Sequence, residues 1–303
     1  MIKIDGVSKR YDNRVQSLKN VTLNIKKGSV LGLIGTNGAG KSTLLRIMSG
    51  IFKSDKGDVY IDGERVFEND RIKAKVTFVS DEQYLIPHFT LTDMAKLYSR
   101  FYPNFSKEKF EKMCHDINLD THRKISTFSK GMKRQGEVIL SICSGSDYLF
   151  FDETFDGLDP IARDYAKRMI ADTVAESGRT VVLSSHNLSD IETICDSVCL
   201  IDGGELILHK TIDDIVAGWH KYQMIFSTPL ESVEIIENFA TLPQISGKLL
   251  TFISSLEEEE VSKKMKLILG DNKIIYSECV PLTLEEIFTL EVKRVKEKAG
   301  DRK

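Results

Sequence analysis

The sequence predicts an α/β fold built on a mostly parallel sheet, with an antiparallel layer near the amino terminus, a largely helical middle and a small α/β appendage at the carboxyl end. Three observations carry this. Short runs such as Val30 to Ile34, Tyr148 to Phe151 and Val181 to Leu183 are apolar throughout, as strands covered on both faces must be. Helical stretches separate them, and strands alternating with helices make a parallel sheet. The first residues instead alternate in polarity, the period of strands with one face buried.

Taken in chain order, Ile2, Ile4, Val21, Leu23 and Ile25 mark half-buried strands of the antiparallel layer. Val30 to Ile34 is a covered strand, and Ser42 to Met48 is a helix stopped by Gly50. Val59 to Gly63 has the form of a hairpin edge. Residues 90–142 are mainly helical and rich in Lys and Glu. The two later covered strands are separated by a helix over Ile161 to Glu176. Composition shifts near Gly218-Trp219, which divides the chain into residues 1–218, with a helical subdomain at 88–142, and an appendage of residues 219–303. The appendage reads as strand Tyr222 to Phe226, helix Ser232 to Phe239, strand Lys248 to Ile253, helix Leu256 to Leu269, strand Ile274 to Cys279 and a last helix from Thr283.

Composition excludes several classes. A net charge of -3 over 303 residues offers no basic field for nucleic acid. No stretch reaches the length of about 18 apolar residues that spans a bilayer, and the amino terminus carries no apolar signal segment. The expected location is therefore the cytosol, unless a partner holds the chain at a membrane. Cys114, Cys143, Cys195, Cys199 and Cys279 are scattered without zinc-ligand spacing and read as buried or incidental thiols. The run Glu257 to Glu260, followed by Lys263, Lys264 and Lys266, reads as a solvated helix face, with an interaction patch as the alternative.

Gly35-Thr36-Asn37-Gly38-Ala39-Gly40-Lys41-Ser42 fits the P-loop pattern, with a covered strand before it and a helix after it. Glycines let the backbone wrap closely, so that amide N–H groups converge on phosphate, and the helix start adds its positive dipole end. Lys41 can reach the β- and γ-phosphates of a nucleotide, and Ser42 can coordinate Mg²⁺. Phe150-Phe151-Asp152-Glu153 supplies a carboxylate at a strand end to hold Mg²⁺ through water. Glu153, next in line, can polarise a water aimed at the γ-phosphate.

The order of these motifs resembles the nucleotide-binding domain of ABC transporters, from about Ile2 to His209. The resemblance implies a P-loop NTPase (RecA-like) core with an antiparallel β-subdomain and a helical subdomain, and an ATPase that uses ATP and Mg²⁺. It assigns Gly35, Asn37, Gly38, Ala39, Gly40, Lys41, Ser42 and Thr43 to the nucleotide, and Tyr11 to stacking on adenine. Phe128-Ser129-Lys130-Gly131-Met132 sits where that family has LSGGQ, so Ser129 and Gly131 face the γ-phosphate of a second subunit. Gly157-Leu158-Asp159 matches the D-loop, with Asp159 crossing to the partner's site. Ser184-Ser185-His186 resembles the switch segment, with His186 on the γ-phosphate. Lys41, Glu153 and His186 are the catalytic set, and Ser42, Asp152 and Asp81 the metal set. The implied partners are a second ATPase subunit, identical or paralogous, and a membrane permease that holds the chain at the cytoplasmic face, docked on residues 90–142.

Departures from the family qualify this. Asp81 stands where the family usually has Gln, with Gln83 as the other candidate, and it adds negative charge near the γ-phosphate. Thr154-Phe155-Asp156 replaces the usual Pro-Thr-Ser. The form SKGM, and Pro281 to Phe288 near the end, resemble exporters of the ABC-2 type and favour export. Dimer contact, regulation and packing all stay open for residues 219–303. Two other functions compete: a soluble ATPase of the same kind acting on nucleic acid or ribosomes, and a non-catalytic nucleotide-binding regulator.

Overall fold

The computed structural model describes residues 1–11, 15–82, 84–216, 218–230, 236, 238–269 and 274–290. Its backbone divides into two compact units, Met1–His209 and Lys210–Lys303.

The first unit opens with β1 (Ile2–Tyr11) and β2 (Val15–Ile25), an antiparallel pair with Ile2 opposite Ile25 and Ile4 opposite Leu23. Their alternation buries Ile2, Ile4, Val7, Val21, Leu23 and Ile25 on one side. β3 (Val30–Ile34) is buried at every position. α1 (Lys41–Met48) follows, then the hairpin of β4 (Lys56–Ile61) and β5 (Glu64–Arg65), which completes the antiparallel sheet in the order β2-β1-β4-β5. A short helix α2 (Asp70–Lys73) leads to β6 (Val76–Val79).

The expected helical middle is present as α3 (Leu91–Phe101), α4 (Lys107–Asp116) and α5 (Lys130–Cys143). Thr90 and Asp93 form a capping box that starts α3, and the Ser129 hydroxyl accepts from the Met132 amide to start α5. β7 (Tyr148–Asp152), α6 (Pro160–Ser177), β8 (Thr180–Ser185) and α7 (Leu188–Glu192) then alternate. β9 (Ser197–Asp202) and β10 (Glu205–Thr211) close the unit and lie outside the strands expected from the sequence. The second sheet has the order β10-β9-β3-β8-β7-β6, and β9, β3, β8, β7 and β6 are mutually parallel. β3, β8 and β7 are therefore neighbours, and their carboxyl ends bring residues 35, 153 and 186 to one edge.

The second unit holds α8 (Ile212–Val216), β11 (His220–Phe226), β12 (Thr241–Ser246), β13 (Leu249–Ser254), α9 (Glu258–Leu269) and β14 (Ile274–Val280), and residues 284–290 are helical. Its sheet runs β12-β13-β11-β14, and neighbouring strands are antiparallel. Tyr222, Met224, Phe226, Leu250 and Phe252 pack with Val261 and Met265 of α9 as a core of their own. The expected helix over Ser232 to Phe239 falls largely on residues 232–235 and 237, outside the described residues.

The motif near the chain end has a local physical explanation. Thr283 and Glu286 form a capping box, with the Thr283 amide donating to Glu286 at 3.0 Å and the Glu286 amide donating to Thr283 Oγ1 at 3.3 Å. The same carboxylate accepts from Lys221 of β11 at 2.6 Å. Leu282, Leu284, Ile287 and Leu290 are buried.

Of the cysteines, Cys114, Cys143, Cys195 and Cys199 are buried and Cys279 is exposed. Glu257 to Glu260, Lys263, Lys264 and Lys266 are exposed, as a solvated face requires. Among the described residues no helix is long and apolar enough to cross a membrane.

Candidate active site

The loop from Gly35 to Gly40 joins β3 to α1 under tight constraint. A Cβ at Gly35 would lie 2.2 Å from the Ile201 carbonyl, and Gly40 has φ of +111° with the Ser17 carbonyl 2.5 Å from where its Cβ would stand. Side chains at either place would displace backbone, so glycine here is a packing requirement. The loop leads into a cleft of ≈ 400 Å³. Residues 37–43 line it, together with Ser17, Asp81, Glu153, Asp156 and His186.

Lys41 is 5% exposed at the start of α1. Its ammonium donates to the Gly35 carbonyl at 2.8 Å and the Thr36 carbonyl at 3.3 Å, and pairs with Glu153 Oε1 at 3.2 Å. Glu153 follows β7 with φ of +45°, a left-handed conformation rare for a residue with a side chain. Its amide donates to Ser184 Oγ at 3.0 Å, which fixes this turn against the end of β8. The other carboxylate oxygen, Oε2, accepts from the His186 amide at 3.3 Å and lies 2.9 Å from His186 Nδ1. Asp156 Oδ2 stands 3.8 Å from the same ring nitrogen.

Asp152 is fully buried at the end of β7. Ser184 Oγ donates to its Oδ1 at 2.6 Å and Ser42 Oγ donates to the same oxygen at 3.0 Å. Burial holds the Asp152 carboxyl above its usual range, against the lowering effect of those two hydroxyls. Its Oδ2 is buried without a partner. A buried carboxylate with one free oxygen, next to a serine hydroxyl, is a donor set that suits a hard divalent cation. The residues present therefore fit Mg²⁺.

Thr43 connects the loop to the antiparallel sheet. Ser17 Oγ donates to its hydroxyl at 2.9 Å, and Tyr11 OH lies 3.3 Å from it. The Tyr11 ring, 37% exposed, meets Phe52 edge-on at 6.2 Å between centroids. Asp81 also lines the cleft, with Arg46 Nη2 at 3.1 Å from its carboxylate. Gln83 lies outside the described residues.

The structure thus brings Lys41, Ser42, Asp152, Glu153, His186 and Asp81 together, with Tyr11 attached through Thr43. Ser129, Gly131 and Asp159 do not line this cleft. Ser129 caps α5, and the Asp159 carboxylate accepts from the Ala162 amide at 3.0 Å and caps α6. A Cβ on Gly131 would lie 3.5 Å from the Gly157 carbonyl, so these two segments adjoin each other. Sequence reasoning missed Ser17, Arg46 and Arg134, whose partners are distant in the chain. It named Ser184 and Asp156 without giving either a role.

A family model described as "ABC transporter" matches residues 18–156. The ABC transporter ATP-binding protein YtrB of Bacillus subtilis is 27% identical over 288 residues, 95% of this chain and 97% of that protein. The lantibiotic transport ATP-binding protein SrtF of Streptococcus pyogenes is 32% identical over 215 residues, 70% of this chain and 92% of that protein. A solved ATP-binding subunit of an ABC transporter matches with TM-score 0.65 and 26% identity, covering 71% of this chain and 91% of that one. A dimeric cassette bound to ADP and Pi shares the fold, with TM-score 0.63 and 24% identity over 70% of this chain and 99% of that one. The similarity to YtrB extends through the second unit, whereas these two solved cassettes cover about the length of the first.

Proposed function

Because the chain belongs to the ABC transporter ATP-binding proteins, and is thus the ATP-binding and ATP-hydrolysing subunit of such a transporter, we propose that it powers export through a separate membrane permease, with Glu153 acting on the attacking water. The observation that carries the catalytic reading is the meeting of Lys41, Glu153 and His186 at the carboxyl ends of β3, β7 and β8.

In this reading the amides of residues 35–43 and the Lys41 ammonium grip the phosphates, and Tyr11 stacks on the base. Ser42 and Asp152 hold Mg²⁺, with Asp81 nearby. When bound, Mg²⁺ supplies positive charge that offsets the crowded phosphate oxygens. Glu153, anchored by His186, orients a water or takes its proton. Lys41 and His186 then stabilise charge on the phosphoryl group. Ser129, Gly131 and Asp159 lie off the cleft of their own chain, which supports their action on the nucleotide of a second subunit. Closure of that dimer excludes water and completes each site.

Export is supported by the relative named for lantibiotic transport, together with SKGM and the tail motif. The permease docks on residues 90–142 and holds the chain at the cytoplasmic face. The unit Met1–His209 forms the motor and Lys210–Lys303 an accessory unit, a division that falls before the composition shift at Gly218-Trp219.

Phosphate release from Mg-ATP by the purified chain tests the enzymatic reading, and its absence above the Glu153→Gln background would overturn it. Co-purification from membranes with a permease tests the partner. Recovery with RNA or ribosomes instead would favour the nucleic-acid alternative.

A further inference from the structure

Asp81 stands in the cleft just past the carboxyl end of β6. Its backbone is pinned from α5: the guanidinium of Arg134, 2% exposed, donates to the Ser80 carbonyl at 2.6 Å and to the Asp81 carbonyl at 2.7 Å. Arg134 is held in turn by Glu137 at 3.1 Å, and Glu137 accepts from the Tyr84 amide at 3.1 Å. The loop therefore has a fixed course, and the Asp81 carboxylate is delivered to the cleft that residues 37–43 line.

Two groups meet that carboxylate. Ser80 Oγ donates to Oδ1 at 2.8 Å, and Arg46 Nη2 donates to the same oxygen at 3.1 Å. Arg46 belongs to α1, the helix that begins with Lys41 and Ser42. Its guanidinium carbon lies 5.8 Å from the centre of the Phe52 ring, and Phe52 meets Tyr11.

We propose that Arg46 is a positioning residue that neutralises Asp81 beside the triphosphate, a role that rests on reading the cleft as the nucleotide site. It lets this chain keep a carboxylate where the family resemblance predicts a neutral amide. An uncompensated carboxylate there repels the phosphates, because like charges in a partly desolvated cleft are poorly screened. A residue that acted by touching nucleotide, or only by packing on Phe52, could not be rescued by a change at position 81.

The experiment measures binding of a fluorescent ATP analogue, with and without Mg²⁺ and at low salt, to the full chain. The variants are Arg46→Met, Asp81→Asn, their combination and Arg46→Lys. Methionine keeps an apolar stem against Phe52 while removing the charge. Arg46→Met should weaken binding roughly ten-fold, equivalent to about 1.4 kcal/mol. Without Mg²⁺, where Asp81 has no metal to meet, the double variant should bind within about three-fold of Asp81→Asn, and Arg46→Lys within about three-fold of the wild type, a difference below about 0.7 kcal/mol. Binding by the wild type with an Arg46→Met loss that persists in the double variant, or with no loss at all, overturns the role of Arg46 alone. No binding by the wild type overturns the nucleotide reading and this role with it.

Discussion

Nδ1 of His186 lies 2.9 Å from Oε2 of Glu153, although helix α6 and strand β8 separate the two residues in the chain. The contact depends on the left-handed turn at Glu153 and on Ser184, which bonds the Glu153 amide and the Asp152 carboxylate together. It makes Glu153 a held group, as the proposed role in polarising water requires. Glu153→Gln removes the base and keeps the shape. It should retain nucleotide binding, lose phosphate release by about 10²-fold or more, and accumulate as a nucleotide-bound dimer in size-exclusion chromatography. Turnover at the wild-type rate would remove Glu153 from the mechanism.

Lys41 is nearly buried and its charge is met by Glu153 and by carbonyls of its own loop. In the proposed reading, Lys41→Ala removes a charge-assisted contact to phosphate, worth about 1.5–3 kcal/mol, and leaves Glu153 without its cation. Calorimetric titration should show most ATP affinity gone, with a drop of at least about ten-fold. Unchanged affinity would mean that the nucleotide binds elsewhere.

The parts of this site visible in the sequence are local ones. Glycine spacing, a covered strand and a following helix define Gly35 to Ser42 within one stretch, and Asp152 and Glu153 follow directly from the apolar run of β7. The contacts that orient them are not local. Ser17 reaches Thr43 and Arg46 reaches Asp81 only after the sheets assemble. The same division holds for the fold. Strand β12 escaped notice because it is an edge strand with Pro243 inside it and mostly half-exposed side chains, so no alternation marks it. The strands of the second unit are otherwise where periodicity puts them, but their antiparallel order depends on pairing that periodicity does not encode.

Glu137 gives a pH signature. Burial pushes its carboxyl up to about 7, against the lowering effect of Arg134. Folding raises this pKa, so between the ordinary 4.5 and about 7 the folded chain keeps a proton that the unfolded chain has released. The associated stability is full below the unfolded value and is lost as pH rises through the folded one. A shift to about 7 corresponds to an effect on the order of 3 kcal/mol. Glu137→Gln should flatten the fall in melting temperature between pH 5 and about 7.5. A slope equal to that of the wild type would assign the pH dependence to other groups.

Glu286 has the opposite sign. Burial alone would raise its carboxyl, but hydrogen bonds from Lys221 and Thr283 outweigh it and hold the group below its usual range. Its contribution is therefore present above the unfolded pKa and lost as pH falls through the folded one. Glu286→Ala removes half of the capping box and the tie to β11 together, at a cost of about 1–2 kcal/mol to the second unit. Limited proteolysis of the full chain should cut that unit faster in the variant, with cleavage of Met1–His209 unchanged. Glu286→Gln keeps the acceptor that caps the helix and loses the charge on Lys221, so its protection should fall between the two. Equal protection in all three chains would mean that the buried Leu282, Leu284, Ile287 and Leu290 hold the last helix without this carboxylate.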